Sequence, residues 1–236
     1  MKQEELNYKE KLLLYNELAK FLTDDRKQLF EKTVKQRTNF FSMVIENIHK
    51  SQNASAIVRT ADCLGLQKLS IIENNNIFET NEEISLGANK WVTITKYNKQ
   101  ENNTKACFDD LRKQGYKIVA TMPYKNDVFL DDLPINNKMA IVFGSEVDGI
   151  SKEAINNADI FMKIPMYGFT ESFNISVSAA ITMHYLTNKL RKSNISWQMN
   201  EEEQLDTLIQ WTLKTIKYPE KKEKEVATAD VSVIID

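Results

Sequence analysis

The chain has 236 residues, 42% of them hydrophobic and 27% charged, and a formal net charge of −2. That length supports one domain with a sizeable core plus terminal extensions, in a composition ordinary for a globular protein. No apolar run approaches the roughly 18 residues of a membrane-spanning helix, and a slightly acidic chain has no sequence-wide electrostatic grip on nucleic acid.

The start, Met1-Lys2-Gln3-Glu4-Glu5, is polar and unlike a signal peptide, so a cytoplasmic protein is expected. Residues 1–39 are the only net-basic stretch, with nine Lys or Arg against seven Asp or Glu. Leu6, Leu13, Leu14 and Leu18 recur at helical spacing, and Thr23-Asp24-Asp25 caps a second helix through Lys35. From Phe40 short apolar runs alternate with helical stretches. Strands are expected over 43–48, 69–72, 117–121, 139–143 and 160–164, and helices over 54–64, 105–114 and 175–191. That alternation predicts an α/β fold with a mostly parallel sheet, whose ligands sit beyond the carboxyl ends of the strands. A last helix over 201–217 is capped by Asn200 and stopped by Pro219, and the tail 220–236 is expected to be poorly ordered. The expected organisation is a helical extension over 1–39, a catalytic domain over 40–192 and a C-terminal helix and tail over 193–236.

Two cysteines without CxxC spacing, Cys63 and Cys107, read as reduced thiols. With only these, His49 and His184 as soft ligands, no structural metal site is expected.

Three segments carry chemistry. In the first, Asn47-Ile48-His49-Lys50-Ser51-Gln52-Asn53, Asn53 can N-cap a helix whose C′ residue is Gly65. Arg59 then lies in the second turn, off the apolar stripe of Ile57, Ala61 and Leu64. It is either an exposed arginine on a capped amphipathic helix or a cation placed near free N–H groups to hold an anion. In the second, Met139-Ala140-Ile141-Val142-Phe143-Gly144-Ser145-Glu146-Val147-Asp148-Gly149-Ile150-Ser151, a buried strand ends at a glycine. The two glycines allow close backbone approach to a ligand, or simply form a strand-turn-helix with Ser151 as cap. Glu146 is not accounted for by the plain turn. In the third, Ile164-Pro165-Met166-Tyr167-Gly168-Phe169-Thr170-Glu171-Ser172-Phe173-Asn174-Ile175-Ser176, a strand runs through a proline into a polar loop carrying Ser172 and Asn174, and small residues then open a helix.

In order and spacing the three resemble the conserved motifs of the SpoU family of RNA ribose 2′-O-methyltransferases, within the SPOUT superfamily. Asn53 followed six positions later by Arg59 matches the first motif. The strand ending in Gly144-Ser145-Glu146 with a later Gly149 matches the second. Ile164-Pro165-Met166 with Ser172, Asn174 and Ser176 matches the third. The resemblance covers residues 40–190 and is nearest to the branch that methylates tRNA guanosine.

It implies helices on both faces of the sheet, a deep C-terminal trefoil knot, a homodimer and S-adenosylmethionine as cofactor. The expected substrate is RNA, with guanosine 18 of the tRNA D-loop first, ribosomal RNA or another tRNA position next, and a non-catalytic RNA-binding module as the third reading. Carried over residue by residue, Thr121, Gly144, Ser145, Glu146, Gly149, Ile164, Met166 and Phe173 would hold the cofactor. Arg59, Asn53, Glu146, Ser172 and Asn174 would form the catalytic side. Arg59 is either the family's proton acceptor or a phosphate clamp; an arginine is a poor base. Lys35, Arg37, Lys50 and Arg59 are the expected RNA contacts, with Lys27 and Lys32 on the same helical arm. The third motif departs from the family in having Phe173 for Leu and Ile175 for Val, and the C-terminal extension lacks a strongly basic run.

Overall fold

The computed structural model describes residues 6–122 and 128–216, which form two compact units. The expected poorly ordered tail, 220–236, lies outside the described residues.

One unit is helical and joins the two ends of the described chain. It holds α1 (Tyr8–Ala19), α2 (Asp24–Val34) and α8 (Glu201–Thr215). Asn7 and Glu10 close a capping box on α1, and Asn200 and Glu203 close one on α8. Thr23 caps α2 as expected, accepting from the Arg26 N–H. Leu14, Tyr15, Leu18 and Ala19 of α1 bury against Leu205 and Ile209 of α8. The buried Lys11 ammonium joins Glu202 at 2.8 Å and Asp206 at 3.0 Å. Its pKa is raised, chiefly by the hydrogen bond to Glu202, against the opposing effect of burial. The pairing of first and last helices was not expected from the sequence, where helical periodicity shows an apolar face but not its partner.

The other unit, residues 38–197, is an α/β layer structure. Its strands are β1 (Phe41–Glu46), β2 (Lys68–Ile72), β3 (Thr93–Tyr97), β4 (Lys117–Thr121), β5 (Val128–Phe129), β6 (Met139–Phe143) and β7 (Ile160–Lys163). All pair in parallel, in the order β3-β2-β1-β6-β4-β7-β5. The helices are α3 (Ser51–Cys63), α4 (Glu82–Ser85), α5 (Asn103–Lys113), α6 (Lys152–Asn156) and α7 (Ile175–Arg191). Strand side chains alternate between two cores, as pleating requires. Phe41, Met43 and Ile45 of β1 join α3 and α7 residues such as Ile57, Ala179 and Met183 on one face. Val44, with Ala140 and Val142 of β6, meets Phe108 and Leu111 of α5 on the other. Burial raises the pKa of the Cys107 thiol in this second core, which makes it an inert packing group.

The expected parallel sheet with helices on both faces is therefore present. β3 and β5 were not anticipated: β3 is a half-exposed outer strand of Thr and Lys, and β5 is two residues long. The first strand ends at Glu46 and not at residue 48, because Asn47 turns to a left-handed φ of 53°.

The strand order fixes where a site can form. From β1 the chain passes to β2 on one side, whereas from β6 it passes to β7, beyond β4, on the other. The loops leaving the adjacent carboxyl ends of β1 and β6 therefore diverge, opening the kind of crevice in which parallel α/β sheets bind ligands.

Candidate functional site

The loop after β6 is closed by its own hydrogen bonds, whereas the loop after β1 is held by neighbouring segments. After β6, Ser145 and Gly149 exchange backbone bonds at 2.9 and 3.1 Å, and Ser145 Oγ accepts from the Asp148 N–H at 2.9 Å. A Cβ built on Gly144 would fall 2.1 Å from the Gly149 carbonyl carbon and 2.3 Å from the Ile150 nitrogen. The glycine read as room for a ligand's approach is therefore required by the hairpin's own backbone. This hairpin projects Glu146 toward the start of α3.

Glu146 accepts from the backbone N–H of His49 at 3.0 Å and of Lys50 at 3.4 Å, and from Asn53 Nδ2 at 2.6 Å. Burial pushes its pKa up, but the Asn53 amide and the backbone donors outweigh that, so the carboxyl titrates below its ordinary value. An anion is thus seated at the start of α3, where the helix dipole favours one, and it belongs to the chain. The expected cap is corrected accordingly. Asn53 is the third residue of α3, the N-cap position is Lys50 with no side-chain cap, and the Asn53 amide is committed to Glu146.

Asn174 completes the relay. It N-caps α7, its Oδ1 accepting from Ser176 N and Oγ at 2.9 and 2.7 Å, while its Nδ2 donates to Asn53 Oδ1 at 3.2 Å. The polarity runs one way: Ser176 to Asn174 to Asn53 to Glu146. Each amide's orientation follows from its two partners.

Beside the relay lies a cavity of about 110 Å³. Of the expected cofactor residues, Thr121, Ile164, Met166 and Phe173 line it, as does Ser172. Met122, Met162, Lys163, Glu171 and Ser178 line it as well and were not picked out from the sequence. Thr121 donates its hydroxyl to the Val142 carbonyl at 2.9 Å, tying the end of β4 to β6. Gly144, Ser145, Glu146 and Gly149 are not among the lining residues; they shape the neighbouring strand end.

The cationic residues are dispersed. Arg59 is exposed on the third turn of α3, because the helix starts at Ser51, earlier than expected, and faces a separate groove with Thr60, Cys63, Ile84, Ile181 and His184. Lys35 and Lys50 are exposed. Arg37 is a correction: it is buried, with its guanidinium 5.2 Å from the Trp211 ring centre, so it is a packing cation and does not present a surface for RNA.

One cluster escaped the sequence reading. Glu46, wholly buried at the end of β1, accepts at Oε1 from the hydroxyls of Thr104 (2.6 Å) and Ser151 (2.8 Å), and at Oε2 from the Ser151 N–H (2.9 Å). Asn47 beside it accepts from the N–H groups of Asn74 and Asn75. A glutamate inside an apolar run, Met43-Val44-Ile45-Glu46, was the available signal. Charged residues are rarely buried unless partnered.

A crevice at diverging parallel strands, a polarised amide–carboxylate relay and an adjoining, largely apolar cavity characterise this parallel α/β unit. Residues 41–184 match the SpoU rRNA Methylase family, and the chain belongs to that family. It is 44% identical over 200 residues to a tRNA (guanosine(18)-2′-O)-methyltransferase of Borreliella burgdorferi, covering 85% of this chain and 90% of that protein. A protein of the same description from Thermus thermophilus is 31% identical over 161 residues, covering 68% and 81%. The crystal structure of the A. aeolicus TrmH/SpoU tRNA modifying enzyme superposes with a TM-score of 0.73 at 28% identity, covering 82% of this chain and 98% of that one. The SpoU methyltransferase AviRb of Streptomyces viridochromogenes, in complex with AdoMet, shares the fold at 17% identity and a TM-score of 0.57, covering 69% and 62%.

Proposed function

We propose that this chain transfers a methyl group to the ribose 2′-hydroxyl of guanosine 18 in tRNA, using S-adenosylmethionine and working as a homodimer. The observation that carries the proposal is the Asn174–Asn53–Glu146 relay. It joins one residue from each of the three motifs beside a cavity suited to the cofactor. The 44% identical relative supports the tRNA substrate.

The cavity residues fit the cofactor. Met122, Met162, Ile164, Met166 and Phe173 offer an apolar wall for a flat heteroaromatic ring and the methylenes of a sulfonium side chain, and Glu171, Ser172 and Ser178 supply polar atoms at the edge. S-adenosylmethionine, when bound, supplies an already activated methyl group.

What remains for the protein is positioning and care of the hydroxyl proton. Glu146, held below its ordinary pKa by its donors, is a weak base and serves as the fixed end of the relay. Through Asn53 it orients Asn174 at the start of α7, and α7 follows directly on the cavity-lining Ser172 and Phe173. Arg59, exposed on α3 and outside the relay, fits a clamp on an RNA phosphate better than a proton acceptor. In the same proposal the C-terminal part of the α/β unit threads the family's knot.

The test is to incubate the protein with S-adenosylmethionine and a full-length tRNA transcript and map the 2′-O-methyl positions. Methylation at guanosine 18 is expected. The matching family is described as acting on rRNA, so methylation confined to ribosomal RNA would move the substrate and keep the chemistry. No transfer and no cofactor binding by calorimetry would leave a non-catalytic RNA-binding module. Arg59→Ala should abolish turnover while cofactor binding persists.

A further inference from the structure

Between the cavity-lining residues Met166 and Glu171 the chain leaves the cavity wall and returns to it. At the tip of that excursion Tyr167 is 95% exposed and Phe169 is fully exposed. Gly168 between them has nothing within 4 Å of where a Cβ would stand, so the tip is open on this side too. The neighbours divide cleanly. Met166, Glu171, Ser172 and Phe173 line the cavity, whereas the two rings between them are given to solvent. Two aromatic rings in water on one short loop are unfavourable for the chain alone and mark a surface that meets something from outside.

We infer that Tyr167 and Phe169 form a stacking platform for the unpaired bases that flank the target ribose in the substrate RNA. The inference rests on the reading of this chain as an RNA 2′-O-methyltransferase. Three observations favour a nucleobase as the occupant. First, the chain carries a net charge of −2, which leaves phosphate attraction little to contribute over the protein as a whole. Stacking needs no net charge, and every base has a π-face to offer. Second, the loop begins at the cavity wall and ends at Asn174, the head of the relay. A ribose presenting its hydroxyl to the cavity brings its neighbouring bases to this loop. Third, the rings are planar, large and not folded onto the chain's own apolar surface, as splayed bases of single-stranded RNA require. Phe173, which stands where the family has Leu, lines the cavity instead and belongs to the cofactor side.

The experiment uses the full chain and a tRNA transcript. Tyr167→Ala with Phe169→Ala should raise KM for tRNA by about tenfold for each base unstacked, while kcat at saturating RNA stays within about threefold. Calorimetric affinity for S-adenosylmethionine should be unchanged. The slope of log affinity against log salt should also hold, because no phosphate contact is lost. Tyr167→Phe with Phe169→Tyr should restore KM. A stem-loop whose unpaired bases are replaced by abasic riboses closes the cycle: wild type should fall to the level of the double-alanine variant, which itself should not distinguish the two stem-loops. An unchanged KM for RNA would overturn the inference. So would a loss traced to weaker cofactor binding, or to a change of oligomeric state in sedimentation, which would give the rings to a lid or to a second copy. If wild type methylates no RNA, the proposed function fails, and binding of the intact and abasic stem-loops to wild type and the double-alanine variant, read by fluorescence anisotropy, still decides the platform.

Discussion

Asn53 on α3 and Glu146 in the hairpin after β6, 93 positions apart, share a 2.6 Å hydrogen bond that anchors the relay at its carboxylate end. The carboxylate holds the start of α3 through the His49 and Lys50 N–H groups, and the amide passes that placement to Asn174. Glu146→Gln presents an amide nitrogen to donors on at least one side, so it misaligns the relay without opening a cavity. kcat/KM should fall by about a hundredfold, the penalty for a displacement near 1 Å at a reacting centre. Asn53→Ala should cost as much, and the double variant little more, because both act through one relay. Full additivity in the cycle would show that the two side chains act separately.

The same carboxyl gives a pH signature. Its folded pKa lies below the ordinary 4.5, so its contribution to stability is complete above about pH 4.5 and is lost as pH falls through the folded value. The melting-temperature gap between wild type and Glu146→Gln should therefore hold at neutral pH and narrow on acidification below pH 4.5. A gap that widens in acid would contradict the direction of the shift.

Gly144 and Gly168 answer to opposite rules. A methyl group on Gly144 meets backbone atoms of Gly149 and Ile150 that have no side-chain freedom to yield, so the hairpin must open. Gly144→Ala should cost at least about 1–3 kcal/mol and release Glu146 from α3. Gly168→Ala adds a methyl group to open space and should leave the melting temperature within a degree or two. Thermal denaturation of the pair checks this; equal losses would mean that the hairpin is not the constraint.

What could be read in advance divides along physical lines. α7 was legible at both ends, 175 and 191, because a run of small and helix-forming residues behind a polar loop is a local feature, whereas Asn174 as its cap emerged only in the structure. The sheet was legible for strands buried on both faces, such as Met139–Phe143, and not for the outer strands β3 and β5, whose polar or very short sequences carry little hydrophobic signal. The three motifs showed which residues matter, and the structure supplied the reason in two cases. Gly144 makes room for Gly149, and Asn53 serves Glu146 in place of its own helix end. Both depend on a partner that folding brings in from elsewhere, as do the Lys11 ion pairs and the burial of Arg37.

Arg37 and Lys35, two residues apart, should separate packing from RNA contact. Lys35 is exposed, so Lys35→Glu should weaken RNA binding and lower the magnitude of its salt slope by about 1 if it meets a phosphate. Arg37 lies buried against Trp211, so Arg37→Ala should instead cost about 1–2 kcal/mol of stability and leave the salt slope alone. Salt-dependent binding together with thermal melts reads both effects. A changed slope in Arg37→Ala at unchanged stability would return that residue to the RNA surface.

Glu46 should behave as a keystone for the crevice. Its two oxygens gather three donors from two segments, Thr104 at the start of α5 and Ser151 at the start of α6. Ser151 in turn caps α6 through the Ala154 N–H at 3.1 Å and stands two residues after Gly149, the end of the hairpin. Glu46→Gln keeps the shape but sets an amide N–H₂ against donors, leaving at least one buried group without an acceptor, at a cost of about 1–3 kcal/mol. The melting temperature should drop by roughly 2–4 °C for each kcal/mol in a chain of this size. Thr104→Val removes one of the stranded donors, so adding it to Glu46→Gln should cost less than the sum of the two single changes. If the losses add in full, Thr104 and Glu46 stabilise their segments independently, and the carboxylate is not what binds α5 to the end of β1.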